Sequence, residues 1–101
     1  MNDDLLRWLQ AWYKEQADGD WEHSYGIVLK TLDNPGWTVT IDLQGTKYEQ
    51  LNSSEHDVRR TEDDWVVYRV REGRLEGFCG PENLIELLES LRRMLASPTD
   101  G

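Results

Sequence analysis

The sequence predicts an α+β domain: an N-terminal helix, an antiparallel meander sheet of four to six strands and a C-terminal helix, with both helices packed on one sheet face. Three observations carry this expectation. Apolar residues recur at helical spacing near both ends of the chain. The run from Trp37 to Gln44 alternates strictly between apolar and polar residues. Turn signals at Asn34-Pro35-Gly36 and Glu72-Gly73 fold the middle back on itself. A chain of 101 residues suits a single domain over residues 1–101, being too short for two independent cores.

The first helix is expected over residues 3–16. Asn2 or Asp3 caps it, Asp3 and Asp4 sit near the positive end of its dipole, and Leu5, Trp8, Leu9, Trp12 and Tyr13 form its stripe. Core packing and an exposed aromatic rim both fit the residues Trp8, Trp12 and Tyr13. Asp18-Gly19 ends the helix, because glycine accepts the positive φ found there.

Ser24 to Leu32 reads as a strand, with Tyr25, Ile27, Leu29 and Thr31 on one face. Asn34-Pro35-Gly36 has the type II pattern, proline at the second turn position and glycine at the third. The next strand turns Trp37, Val39, Ile41 and Leu43 inward and pairs antiparallel with the first. After Gly45, Thr46 to Leu51 suits a third strand anchored by Tyr48.

Residues 52–64 carry Val58 as their one apolar side chain and fit either a long loop or a charged edge strand around His56 to Arg60. Trp65 to Arg71 and Arg74 to Cys79 form a hairpin across Glu72-Gly73. Gly80-Pro81 opens the last helix with proline in its first turn. Its stripe is Leu84, Leu87, Leu88, Leu91, Met94 and Leu95, Pro98 closes it, and residues 97–101 form a frayed tail.

Twenty acidic residues against eleven basic ones give a net charge of −9. That balance repels nucleic acid and anionic membrane and attracts basic protein surfaces. A mean hydropathy of −0.75 predicts a wet surface. No leader, bilayer-length apolar run or lipidation signal is present in the sequence, so a cytoplasmic protein is expected. The single Cys79 has no disulfide partner within the chain and reads as a buried strand thiol rather than a nucleophile.

Two acidic clusters are candidates for chemistry. Asp18, Asp20 and Glu22, with His23, supply oxygen and imidazole groups suited to a divalent cation. In an extended segment, however, His23 points away from the three acids, and calcium-loop spacing is missing. The same carboxylates also fit a helix-to-strand junction, where they cap backbone N–H groups, or an acidic face that binds a partner. Glu62, Asp63 and Asp64 precede Trp65 as a second cluster. Should the two clusters meet in the fold, they form an acidic patch with an aromatic anchor, suited to a basic groove. Paired carboxylates also permit general acid–base hydrolysis, but no nucleophile elbow, phosphate loop, Cys–His signature or zinc-protease motif specifies a reaction.

The segments DGDWEHSYGI, TLDNPGWTVTIDLQGT, TEDDW and GFCGPENLIELLESLRRML, preceded by the helix LLRWLQAWY, together resemble the immunity protein 53 family of bacterial polymorphic toxin systems. The resemblance spans nearly the whole chain and is weakest over residues 47–61. It implies a cytoplasmic antidote that binds a cognate toxin, with no catalysis, cofactor or metal. The acidic balance adds a basic target such as a nuclease. The positions that match the family pattern are Asp18 to His23, Leu32 to Trp37, and Asp63 to Trp65. Asp18, Asp20, Glu22, Glu62, Asp63 and Asp64, the carboxylates of the two acidic clusters, are the candidate partner-binding residues. A small metal-binding or carboxylate-dependent enzyme using residues 18–23 is the alternative, and an acidic decoy that mimics nucleic acid is a further one.

Overall fold

The computed structural model describes residues 3–96. Helix α1 (Asp3–Gln16) is followed by a single helical turn, α2 (Trp21–Ser24), and by strands β1 (Ile27–Leu32) and β2 (Gly36–Asp42). Strands β3 (Ser53–Arg59), β4 (Trp65–Arg71) and β5 (Arg74–Cys79) complete the sheet, and helix α3 (Leu84–Ala96) ends the described chain. All neighbours are antiparallel, in the order β1-β2-β5-β4-β3. The expected α+β architecture with an antiparallel sheet is observed, with five strands, but the sheet is not the simple meander expected: β5 lies between β2 and β4, so the connection after β2 crosses to the far edge, where β3 pairs only with β4. Asn2, Pro98 and the tail 97–101 lie outside the described residues.

Alternation decides which face is buried. Val39 and Ile41 of β2, Leu75 and Cys79 of β5, and Val66 and Val70 of β4 point to one side and are fully or almost fully buried. Helix α3 lies on this side and adds Leu87, Leu88, Leu91 and Leu95. Gly77 lets the helix approach, since a Cβ there would stand 2.8 Å from Leu87 Cδ1. Leu5 and Trp12 of α1 join the same core. Of the first helix's aromatic stripe, Trp12 is core, Trp8 is half-buried and Tyr13 is exposed, so the stripe divides between core and rim.

Beside α1 an aromatic cluster closes one end of the core. Trp12 lies 6.0 Å from Trp21 and 5.7 Å from Tyr48, and Trp21 lies 6.4 Å from Tyr25, measured between ring centroids. Tyr48 is the expected anchor of its segment, but the third strand expected over Thr46 to Leu51 does not form. Thr46 explains why: its hydroxyl donates to the Leu43 carbonyl and accepts the Tyr48 N–H, which holds the backbone in successive turns. The strand expected from Ser24 likewise begins only at Ile27, because residues 21–24 take a helical turn.

Two turn assignments also differ. Leu32 pairs with Gly36 across a three-residue loop, and Gly36 is absent from the positive-φ residues, so the expected type II geometry is not used. Glycine is needed there for a different reason, because a Cβ at Gly36 would collide with the Cys79 carbonyl oxygen of β5. The last helix starts at Leu84, with Asn83 accepting its first backbone bond from Leu87 at 2.9 Å, so Pro81 lies in the preceding turn. The Glu72-Gly73 hairpin is as expected: both residues have positive φ, 54° and 72°, the geometry of a type I′ turn.

Candidate functional site

The two acidic clusters lie at opposite ends of the sheet. Residues 18–24 enter β1 beside the Glu72-Gly73 turn, whereas residues 60–64 lie beyond the start of β4, level with the ends of β5 and β1. The strands between them run about 20 Å at roughly 3.3 Å per residue, so the clusters do not form one patch.

In the first cluster the backbone claims two of the carboxylates. Asp18 Oδ1 accepts the N–H groups of Asp20 and Trp21, each at 3.0 Å, and Glu22 reaches back to the Gly19 N–H at 2.9 and 3.1 Å. Gly19 has φ 101°, which this turn requires. The Trp21 and Asp20 amides hold the Asp18 carboxyl below its ordinary range. Asp20 projects to solvent, and among the described residues no hydrogen bond or ion pair engages its side chain. No group of three or more His, Cys, Asp or Glu residues among them is arranged to hold a metal ion.

The second cluster is built across three elements. Asp64 Oδ1 accepts from Arg60 Nε at 3.1 Å, from Arg60 Nη2 at 2.8 Å and from Asn83 Nδ2 at 2.8 Å. Glu86 Oε1, one turn into α3, accepts from the same Arg60 Nη2 at 2.5 Å and from Asn83 Nδ2 at 3.1 Å. The turn is further closed by the Arg60 N–H on the Asp64 carbonyl at 2.9 Å. The loop before α3 is tied down by the Gly80 N–H on the Trp65 carbonyl at 3.0 Å and by the Trp37 indole N–H on the Pro81 carbonyl at 3.0 Å. The Arg60 guanidinium, and after it the Asn83 amide, hold Asp64 below the ordinary carboxylate range. Arg60 likewise leads the causes that lower Glu86.

Asp64 is thus the organiser of this end, while Glu62 and Asp63 project from the turn it fixes. The shallow depression here is lined by four carboxylates, Asp63, Asp64, Glu82 and Glu86, against one guanidinium, Arg60. Arg60, Asn83 and Glu86 were not candidates from sequence reasoning. The signal for Asn83 and Glu86 was their spacing, Asn83-x-x-Glu86, a capping-box pattern that marks a helix start; Arg60 had none.

The sheet face opposite the helices is a third surface, also missed. Arg69 is paired with Glu76 and Glu55, each at 2.9 Å, and lies 5.4 Å over the Phe78 ring; Arg74 pairs with Asp42 at 3.2 Å. The alternating residues on this face are five cations, Lys30, Arg59, Arg69, Arg71 and Arg74, and four anions, Asp42, Glu55, Asp57 and Glu76. The open face is therefore nearly neutral, and so are the two long helices, at −1 over residues 3–16 (three acidic, two basic) and 0 over residues 84–96 (two of each), so the negative charge of the chain lies mainly in its turns and loops.

The family model described as Immunity protein 53 matches residues 6–96, a span that takes in every strand and nearly all of both long helices. No curated protein and no solved structure matches the chain. By that match the chain belongs to the immunity protein 53 family, which implies an immunity protein with a cognate toxin as its partner.

Proposed function

We propose that this protein neutralises a bacterial polymorphic toxin by binding it directly in the cytoplasm, and that the toxin presents a basic surface such as that of a nuclease. The family match over residues 6–96 carries the antidote role. Charge supports the choice of surface. Glu62 and Asp63 stand on a turn tied down by Arg60, Asp64, Asn83 and Glu86, so the backbone that presents their carboxylates needs little ordering on binding. Asp20 offers a smaller acidic contact at the other end, where Asp18 and Glu22 shape the turn rather than meet the partner. The protein acts by occupying the toxin's surface and performs no reaction of its own.

No observation favours the alternative of a metal-binding or carboxylate-dependent enzyme, since two of the three carboxylates in residues 18–23 are engaged by backbone amides. The test is co-expression with the toxin domain encoded beside this gene, followed by pull-down. The wild type is expected to restore growth and co-purify with the toxin at moderate salt. The double variant Glu62→Lys/Asp63→Lys is expected to lose both while keeping its circular dichroism spectrum. Failure of the wild type to rescue or to form a complex with any neighbouring toxin overturns the reading.

A further inference from the structure

Strand β1 is an edge strand, and its outer side is paired with nothing among the described residues. Its composition is unlike that of the other edge. Strand β3 carries Glu55, His56, Asp57 and Arg59 and has a register irregularity between Ser53 and His56, features that discourage pairing with other chains. Strand β1, Ile-Val-Leu-Lys-Thr-Leu, keeps an unbroken register with β2, and Lys30 is the one charge in residues 24–32. Four of the six large hydrophobic residues exposed among the described residues gather along this edge: Leu6 at 55%, Val28 at 54%, Tyr13 at 44% and Leu29 at 39%. Leu6 and Tyr13 of α1, with Tyr25 and Ile27, line a groove of about 530 Å³ continuous with the strand. An unprotected edge flanked by exposed apolar side chains on both faces is the form of a surface that pairs.

The backbone geometry makes the edge complementary to itself. The Asp42 N–H donates to the Gly26 carbonyl at 3.1 Å, which fixes the phase of the β1–β2 ladder. By antiparallel alternation Val28, Lys30 and Leu32 then turn their N–H and C=O groups toward β2. Ile27, Leu29 and Thr31 turn theirs outward.

We propose that β1 pairs antiparallel with β1 of a second copy of this chain about a two-fold axis at Leu29, joining two five-stranded sheets into one. This register alone uses all three outward residues of each strand, setting Leu29 opposite Leu29 and Ile27 opposite Thr31, each pair exchanging two backbone bonds. It places Lys30 opposite Val28 of the second copy, whereas a register centred on Lys30 would set two like charges face to face. The helices of both copies fall on the same side of the joined sheet, and the second copy's Thr31 closes over Ile27 at the floor of the groove. Charge favours a second copy over a basic toxin at this edge, because residues 24–32 offer a cation rather than carboxylates.

Sedimentation of the purified protein at tens of micromolar, repeated with three variants, tests the proposal. The wild type is expected at twice the chain mass of 11.8 kDa. Leu29→Pro removes an outward N–H without breaking a bond to β2, and Leu29→Lys opposes two charges across the axis. Each is expected to raise the dimer dissociation constant at least ~100-fold while far-ultraviolet circular dichroism shows the sheet intact. Val58→Lys, on the other edge, is expected to leave the dimer unchanged. A monomeric wild type overturns the proposal, including the case in which Leu29→Pro instead loses the toxin, and so does a dimer that survives both Leu29 variants.

Discussion

Asn83 does more than precede a helix. Its amide nitrogen donates to Asp64 and Glu86, and its oxygen faces the Trp65 N–H at 3.4 Å, so one buried side chain joins the β3–β4 turn, the start of β4 and α3. Asn83→Ala leaves these groups without their partner and is expected to cost about 1–3 kcal/mol, read from the urea midpoint. Gly77→Ala pushes a methyl into Leu87 and is expected to cost about 1–3 kcal/mol by the same measurement. The carboxylates around Asn83 give a pH dependence of definite sign. Asp64 and Glu86 are lowered from ordinary values of 3.8 and 4.5, so the unfolded chain takes up protons first. Their contribution is complete above the ordinary values and is lost as pH falls through the lowered ones. Thermal melts between pH 7 and pH 3 are expected to show this loss, and Asn83→Ala to make it shallower. Cys79 does not enter this balance, since burial pushes its thiol up to about 11.

Strands β2, β5 and β4 are each paired on both sides, with α3 packed on β4 and β5, and the amides of the central strand β5 are expected to exchange slowest with deuterium. In β1 the amides of Ile27, Leu29 and Thr31 exchange fast in a monomer and slowly in the proposed dimer, while those of Val28 and Lys30 stay protected in both. Hydrogen exchange in the wild type and in Leu29→Lys separates these cases. Much of this architecture was legible in the sequence. The period of α3, the alternation of β2 and the positive-φ pair Glu72-Gly73 are local signals, and each formed the element it predicts. Segment 46–51 was not legible, because β-type residues there are overruled by two hydrogen bonds of the Thr46 hydroxyl. Gly36 and Pro81 were assigned to the wrong geometry for a related reason. Their roles depend on what lies across the fold, the Cys79 carbonyl for one and the Trp37 indole for the other, and no local pattern encodes those neighbours.

Taken whole, the protein separates its charge from its apolar surface. The open sheet face balances five cations against four anions, the β1 edge is apolar, and the carboxylates without a matching cation stand mainly in the turns and loops. Sequence reasoning identified both acidic clusters but not their separation, since strand order decides which ends meet. It also counted six candidate carboxylates as equals. Asp18, Glu22 and Asp64 also build turns, whereas among the described residues no hydrogen bond or ion pair engages the side chains of Asp20, Glu62 and Asp63. A partner attracted by this distribution associates quickly at low salt and more slowly as salt screens it, with the apolar centre of its interface setting dissociation. The most direct measurement is the dissociation constant for the purified neighbouring toxin domain across a salt series, with wild type and with Glu62→Lys/Asp63→Lys. The variant is expected to lose about 10- to 100-fold in affinity at low salt and to show a flatter salt dependence. Equal affinity and equal salt dependence in the two proteins would place the toxin on another surface and contradict the proposed acidic contact.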